Sequence, residues 1–324
     1  MLLKKFIDLC QTEKIFFGKK IVAAVSGGAD SLALADLLNR SKQKFKIKIC
    51  IAHYEHGLRG ENSLDDAKFV EEFAKSLGVE FFCEHGDVKK FSAENKISVE
   101  TAARILRYEF LTKVRREKNF DAIALAHHAD DQAETILMRL LRGSSSAGLS
   151  AMKFSSQSEY GLLLRPLLKF KKSELEKYCQ SQKIFPRIDE TNFQADVTRN
   201  KIRLELLPML KKFNPAIVET LCRFAEISAE ESDFINSEVE KIFPAVVENH
   251  ELLQKEFLEL HPALQRAIIK KFVELETGST KDFGFIHFEG VRKVLTENLS
   301  GVELPQKFRA NLKRGKLTVI KSFS

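Results

Sequence analysis

The chain has 324 residues, 44% of them hydrophobic, with 52 basic and 45 acidic side chains and a formal charge of +7. That apolar content fills two or three domains, and no run of 18 uncharged apolar residues is present, so no membrane-spanning helix is expected. Near the start, Lys4, Lys5, Asp8 and Glu13 break up anything like the apolar core of a secretory signal, and a soluble cytoplasmic protein is expected. A pI near 9.0 suits a polyanionic partner such as nucleic acid without singling one out. The five cysteines (Cys10, Cys50, Cys83, Cys179, Cys222) are odd in number and far apart, with no Cys-x-x-Cys pair. This excludes a local zinc or iron–sulfur signature and predicts reduced, mostly buried thiols.

Apolar runs at 21–25, 47–52, 79–83 and 122–126 predict strands. Between them, 63–77 has apolar residues at helical spacing, with Ser63 and Asp66 placed to form a capping box, and 98–117 is a second helix with Ser98 as its N-cap. Strand-then-helix repetition predicts an α/β domain with a parallel sheet covered by helices. The pattern changes at Asn214-Pro215. Beyond it, 217–243 reads as a long amphipathic helix, 252–275 as further helix and 301–320 as short strands. The chain therefore divides into an N-terminal α/β domain over 1–212 and a mostly helical region over 213–324.

Ligands of open parallel sheets bind outside the carboxyl ends of the strands. Three polar clusters fall there: Ser26-Gly27-Gly28-Ala29-Asp30-Ser31 after the first strand, His53 to Gly60 after the second, and His127 to Glu134 after the fourth. They are distant in sequence and predicted to converge. The glycines of the first cluster let the backbone approach a ligand, Asp30 and Ser31 suit the cap of the next helix, and the free N–H groups there favour an anion. No lysine accompanies them, so the loop suits a pyrophosphate whose charge is shared with Mg²⁺. In the last cluster Asp130 is a candidate cap, while Asp131 and Glu134 share a helix face. Asp30 and Asp131 are candidate Mg²⁺ ligands; the His-Glu-x-x-His order of a zinc site is absent. His53, His56 and Arg59 are candidates to line a nucleotide. Arg104 and Arg107, one turn apart, are placed to reach phosphate, and Arg199 and Arg203 share a basic helix face. The run from Arg142 to Gly148, rich in serine and glycine, reads as a mobile segment able to close over the site.

The first cluster resembles the SGGxDS loop of the N-type ATP pyrophosphatase (PP-loop) superfamily, whose members cleave ATP between the α and β phosphates and adenylate a carbonyl oxygen. HYEHGLRG at 53–60, ETAARILRYEF at 100–110, AHHADDQAETILMRLLRGSSSAGLSAM at 126–152, RPLL at 165–168 and DETN…TRNKIRLELLP ending at Pro208 together resemble the tRNA(Ile)-lysidine synthetase family, in that family's order. The resemblance covers about the first 210 residues. It implies an adenine-nucleotide α-hydrolase-like fold and ATP-dependent adenylation of the C2 oxygen of the wobble cytidine in a CAU-anticodon tRNA(Ile). The ε-amine of free L-lysine then displaces AMP. It further implies Ser26 to Ser31 and His53 at ATP, with Asp30, Asp131, His127 and Arg199 in catalysis. Arg104, Arg107, Arg142 and Arg203 are left for tRNA or substrate, and 213–324 for tRNA recognition, with one C-terminal domain rather than two. A homodimer is compatible with this reading. A tRNA thiolase of the same superfamily is the alternative, although sulfur transfer calls for a thiol pair or iron–sulfur site. A small-molecule amide synthetase would not need the basic helices, and a binding module with a dead pocket fits poorly with intact Ser26, Asp30, Asp131 and Arg199.

Overall fold

A computed structural model describes residues 1–57, 61–187 and 197–322. Arg59 and the DETN stretch lie outside them. Two compact units are present, Met1–Glu226 and Ile227–Ser324.

In the first unit the order is α1 (Leu2–Thr12), β1 (Lys20–Ala24), α2 (Ala29–Phe45), β2 (Lys48–Glu55), α3 (Glu61–Leu77), β3 (Glu80–His85), α4 (Val88–Asn95), α5 (Val99–Glu117), β4 (Ala122–Ala124), α6 (Ala129–Leu141) and α7 (Ser146–Leu149). β5 (Ser155–Ser158), β6 (Gly161–Leu164), α8 (Lys172–Ser181), α9 (Val197–Lys201), a π-helical turn (Ile202–Leu206) and α10 (Leu207–Phe213) complete it, and α11 (Ile217–Val246) continues beyond it. The six strands lie in the order β3-β2-β1-β4-β6-β5, all parallel except the β5 edge. β1 and β2 pair in register from Lys20↔Lys48 to Ala24↔Ala52. β1 is apolar along its buried length and β2 is apolar from Ile49 to Ala52, because helices cover both faces of a parallel sheet; past Ala52 the strand buries His53, Tyr54 and Glu55. Phe6, Ile21, Leu34, Ile51 and Phe170 fill one side, and Val22, Cys50, Tyr108 and Ile123 the other.

The chain runs from β1 outward through β2 and β3, then crosses back to place β4 on β1's other edge. The order thus reverses between β1 and β4, which opens a crevice at their carboxyl ends. Ser98 caps α5 as expected, its Oγ accepting from the Thr101 N–H at 3.1 Å. Two capping expectations fail. Helix α3 begins at Glu61, which puts Ser63 inside the first turn. Helix α2 is capped by Gly28, and the Ser31 hydroxyl donates to the Gly28 carbonyl at 2.9 Å.

The second unit holds β7 (Val247–Glu248), β8 (Glu251–Leu253), α12 (Gln254–Leu258), α13 (Pro262–Thr277), α14 (Phe285–Thr296), β9 (Gly301–Leu304), β10 (Phe308–Lys313) and β11 (Lys316–Lys321). Its five strands form an antiparallel sheet, β7-β8-β11-β10-β9, with Ala310, Leu312, Leu317 and Val319 facing Ile269, Phe272, Val291 and Leu295 of the helices in one core. The helix expected over 252–275 is interrupted. Leu252 and Leu253 pair with Leu317 and Lys316, and the remainder is split into α12 and α13, the latter beginning at Pro262 with His261 as its cap.

Candidate active site

The loop after β1 takes its shape from its small residues. Gly27 has φ +95°, a conformation that strains any residue with a Cβ. Ser31 Oγ accepts from the Ser26 N–H at 3.1 Å and lies 3.3 Å from Ser26 Oγ, which folds the loop back over the start of α2. The first-turn N–H groups of that helix, on Ala29 and Asp30, have no preceding carbonyl to bond. Behind the loop, His53 lies within β2. Its Nδ1 donates to the Val25 carbonyl at 2.8 Å, and its Nε2 is buried without a partner. Burial lowers its pKa despite that bond and the nearby Asp66 and Glu55, so the ring is a neutral acceptor.

Across the crevice, α6 is capped by His128, not by Asp130. The Asp131 N–H donates to His128 Nδ1 at 3.4 Å, and Asp131 Oδ2 accepts from the His128 N–H at 3.0 Å. A histidine serves here because an unprotonated Nδ1 accepts as a serine oxygen would. The charged ring gives up this acceptor at Nδ1, whereas in the cation and in the capping tautomer alike a proton sits on Nε2. That nitrogen lies 3.4 Å from both Asp30 Oδ2 and Asp131 Oδ2, so one buried imidazole joins the two candidate carboxylates. Asp30 Oδ1 is buried with no partner. Asp130 Oδ2 lies 3.8 Å from His128 Nδ1 but is held by the Lys172 N–H at 3.0 Å, with Lys211 Nζ 3.6 Å from Oδ1.

Cations of α9 and the π-helical turn close the far side. Glu134, 2% exposed at its side chain, accepts from Arg203 Nε at 2.6 Å, Arg203 Nη2 at 3.0 Å and Arg199 Nε at 3.0 Å. Both guanidiniums also approach Asp131 Oδ1, Arg203 at 3.5 Å and Arg199 at 3.9 Å. Glu134 is therefore committed to two arginines and is not open to a metal.

Burial pushes the Asp131 carboxyl up, but His128, His127, the His128 N–H and Arg199 outweigh it and hold it below the ordinary carboxylate range. Burial pulls His128 down, while Asp30, Asp131 and Asp130 overcome this and raise it. Its neighbour His127 is pushed down to about 3 by burial, against Asp131, with Arg165, Arg107 and Arg199 adding to the fall. His127 is thus neutral at physiological pH, and its buried Nδ1 has no partner. The raised His128 value has a stability consequence. Its contribution is complete below the unfolded value of about 6.5 and fades as pH rises through the higher folded value. The stability difference between wild type and His128→Gln, followed by urea unfolding from pH 5.5 to 8.5, is expected to narrow as pH rises. A gap that widens with pH would contradict the assignment.

Asp30, Asp131, His127, Arg199 and Arg203 therefore meet with the Ser26–Ser31 loop at the crevice. Arg107 joins them through its field on His127, and Arg104 lies beside it, its guanidinium 4.8 Å from the Tyr108 ring centre. Arg142 does not join them. It is the C-cap of α6, eleven residues or about 16 Å along the helix from Asp131. The segment beyond it is pinned from below, with Arg139 Nη1 donating to the Gly148 carbonyl at 2.5 Å and Gln132 exchanging two hydrogen bonds with Met152. Sequence reasoning passed over His128 and Arg165. The latter is held by the Lys153 carbonyl and the Ser156 hydroxyl, and burial lowers its pKa. A cap-position signal existed for His128 in the aspartate three residues on, but histidine is seldom read as a cap.

The profile of the PP-loop domain family matches residues 3–210. The chain is 41% identical over 280 residues to a tRNA(Ile)-lysidine synthase of Clostridium perfringens, covering 85% of this chain and 59% of that protein. It is 36% identical over 297 residues to a tRNA(Ile)-lysidine synthase of Clostridium acetobutylicum, covering 90% and 64%. The chain thus spans about three fifths of the length of these curated relatives. Among solved structures, the U34-tRNA thiolase NcsA of Methanococcus maripaludis, described with its [4Fe-4S] cluster, shares the fold, with a TM-score of 0.58 at 20% identity over 70% of this chain and 80% of that one. No helix among the described residues is long and apolar enough to cross a membrane. With a glycine-shaped anion loop at the β1/β4 reversal and a family match over nearly all of the first unit, the chain belongs to the PP-loop domain family.

Proposed function

We propose that this chain carries out lysidine synthesis on a tRNA(Ile) with a CAU anticodon, using ATP and free L-lysine. One observation carries the reading: the anion-accepting loop, the His128-linked carboxylates and the arginines of α9 and the π-helical turn face one crevice. The 41% identity to a synthase of that name supports it. In the first step the cytidine C2 oxygen attacks the α phosphorus, the bond to the β-phosphate bridging oxygen breaks, and pyrophosphate leaves into the Ser26–Ser31 loop. In the second, the lysine ε-nitrogen bonds to C2, AMP departs with the oxygen, and the amine loses its protons to base or solvent. Making AMP the leaving group is what turns an unreactive cytosine carbonyl into an electrophile.

Roles divide by environment. Asp30 Oδ1, buried and unpartnered, is the donor suited to Mg²⁺, which takes one or two carboxylates along with phosphate oxygens. Bound there, Mg²⁺ would neutralise pyrophosphate charge. Asp131, held anionic among cations, suits orientation of the incoming ammonium better than proton removal. Neutral His127 offers a hydrogen bond to the adenylated base, and Arg199 a charge to its phosphate. His53 is positioned under the nucleotide loop. Arg104, Arg107 and Arg203 contribute positive charge for tRNA phosphate, Arg142 meets tRNA away from the reacting atoms, and 213–324 supplies tRNA recognition.

The thiolase alternative fits the cysteines poorly. Cys179 and Cys222 donate to the carbonyls of Ala29 and Ala129, and burial pushes their thiols to about 11 and about 12. They act as structural donors. The test is release of AMP and pyrophosphate in equal amounts, dependent on both lysine and CAU-anticodon tRNA. Release that ignores lysine would overturn the reading.

A further inference from the structure

The loop after β1 is held from behind by a part of the chain that supplies no candidate catalytic group. Helix α8 and the residues that follow it, 182–187, reach α2 and the loop at three points. Tyr178 donates to Asp36 at 2.5 Å, and the Cys179 thiol donates to the Ala29 carbonyl at 3.4 Å. Farther along, the Arg187 N–H donates to the Gly27 carbonyl at 3.2 Å. The Arg187 side chain turns to α3, where Nη1 donates to Asp66 Oδ1 at 3.0 Å and the guanidinium lies 5.5 Å from the centre of the Phe69 ring. Asp66, Phe69 and Val70 share one helix face by their spacing. That face backs the loop: a Cβ built on Gly27 would lie 3.6 Å from Val70 Cγ2 and 3.9 Å from Phe69 Cδ1.

The carbonyl that Arg187 holds belongs to the peptide bond between the two glycines. That bond is trans, and in a trans peptide the C=O and N–H point opposite ways. Fixing the Gly27 carbonyl on Arg187 therefore turns the Gly28 N–H away from Arg187. Among the described residues that N–H donates to no carbonyl. With the free first-turn N–H groups of Ala29 and Asp30 it makes a row of donors of the kind that cups an anion. Two glycines in succession rotate at little steric cost, so this is the peptide of the loop that most needs holding. The Arg187–Asp66 pair suits that task better than stabilising the fold. Its side chains are 45% and 27% exposed, and ion pairs so placed contribute little to folding.

We infer that Arg187 is a positioning residue for the pyrophosphate loop: anchored on Asp66 and Phe69, it fixes the Gly27–Gly28 peptide so that the Gly28 N–H meets the departing pyrophosphate. This rests on the reading of Ser26–Ser31 as a pyrophosphate loop and adds what sets the loop's shape. The test uses the full chain with Arg187→Ala, Arg187→Lys, Asp66→Ala, and Arg187→Ala combined with Asp66→Ala. Binding of Mg²⁺-pyrophosphate and of adenosine, which lacks phosphate, is measured by calorimetry, and the unfolding midpoint is followed in urea. Arg187→Ala is expected to weaken pyrophosphate binding by at least about tenfold, the effect of losing one hydrogen bond to a charged group, with adenosine affinity and the midpoint unchanged. Arg187→Lys keeps a cation for Asp66 and is expected to lose less. Asp66→Ala separates positioning from direct contact. It removes a negative charge, so an arginine that touched pyrophosphate itself would hold it as well or better once released. Positioning predicts the opposite, a loss matching that of Arg187→Ala, with the double variant no worse than either. Unchanged or tighter pyrophosphate binding in Asp66→Ala overturns the proposal. A parallel fall in adenosine affinity or in the midpoint of Arg187→Ala also overturns it, since Arg187 would then serve the fold alone. If wild type binds no pyrophosphate, the loop reading itself fails.

Discussion

Asp30→Asn is expected to lower turnover by about 10³-fold while leaving tRNA affinity within a factor of two. The expectation follows from the environment of the side chain. Its Oδ2 faces His128 Nε2, and its Oδ1 is buried with no protein partner. Neutralising the carboxylate removes the charge proposed to meet Mg²⁺ and ATP, together with a charge that raises the His128 pKa. Single-turnover assays alongside tRNA binding separate these effects. A large loss of tRNA binding would show that Asp30 shapes the fold of the loop.

Glu134→Gln is expected to cost about 3 kcal/mol of stability, the low end of the range for removing one partner from a buried ion pair, because both guanidiniums keep about a third of their surface exposed. Activity is expected to fall further than the folding loss explains. Three of the shortest contacts that fix Arg199 and Arg203 end on this carboxylate, and they hold a π-helical turn against α6. Arg199→Lys should reproduce the activity loss with a smaller stability change, since an ammonium cannot copy the guanidinium fork. Urea unfolding gives the first quantity and AMP release the second. An unchanged midpoint in Glu134→Gln would mean that the arginines are held by other contacts.

The architecture of the first unit was legible because its inner strands are unbroken apolar runs, followed at once by polar, glycine-bearing clusters. Parallel strands buried on both faces leave that signature, and β1, β2 and β4 carry it. The edge strand β5, Ser155–Ser158, does not: it is polar throughout and is defined by antiparallel pairing with β6. In the second unit, Glu251–Leu253 has local helical character but is drawn into the sheet by β11, more than sixty residues later. No local pattern encodes that partner. The site followed the same rule. Asp30 and Asp131 were visible as polar residues just past strand ends, and helical periodicity put Glu134 on the Asp131 face. What occupies Glu134 comes from Arg199 and Arg203, across a long stretch of chain, so its role could be read only after folding. His128 was obscured by its neighbour: Asp130 is the better cap by preference, yet the Lys172 N–H and Lys211 hold it and leave the position to histidine.

Transfer of labelled lysine tests the central claim most directly. Incubated with this chain, ATP and Mg²⁺, a tRNA(Ile) with a CAU anticodon is expected to take up one lysine per molecule through its wobble cytidine, while elongator methionine tRNA, with the same anticodon, takes up little. Labelling of neither tRNA would contradict the account.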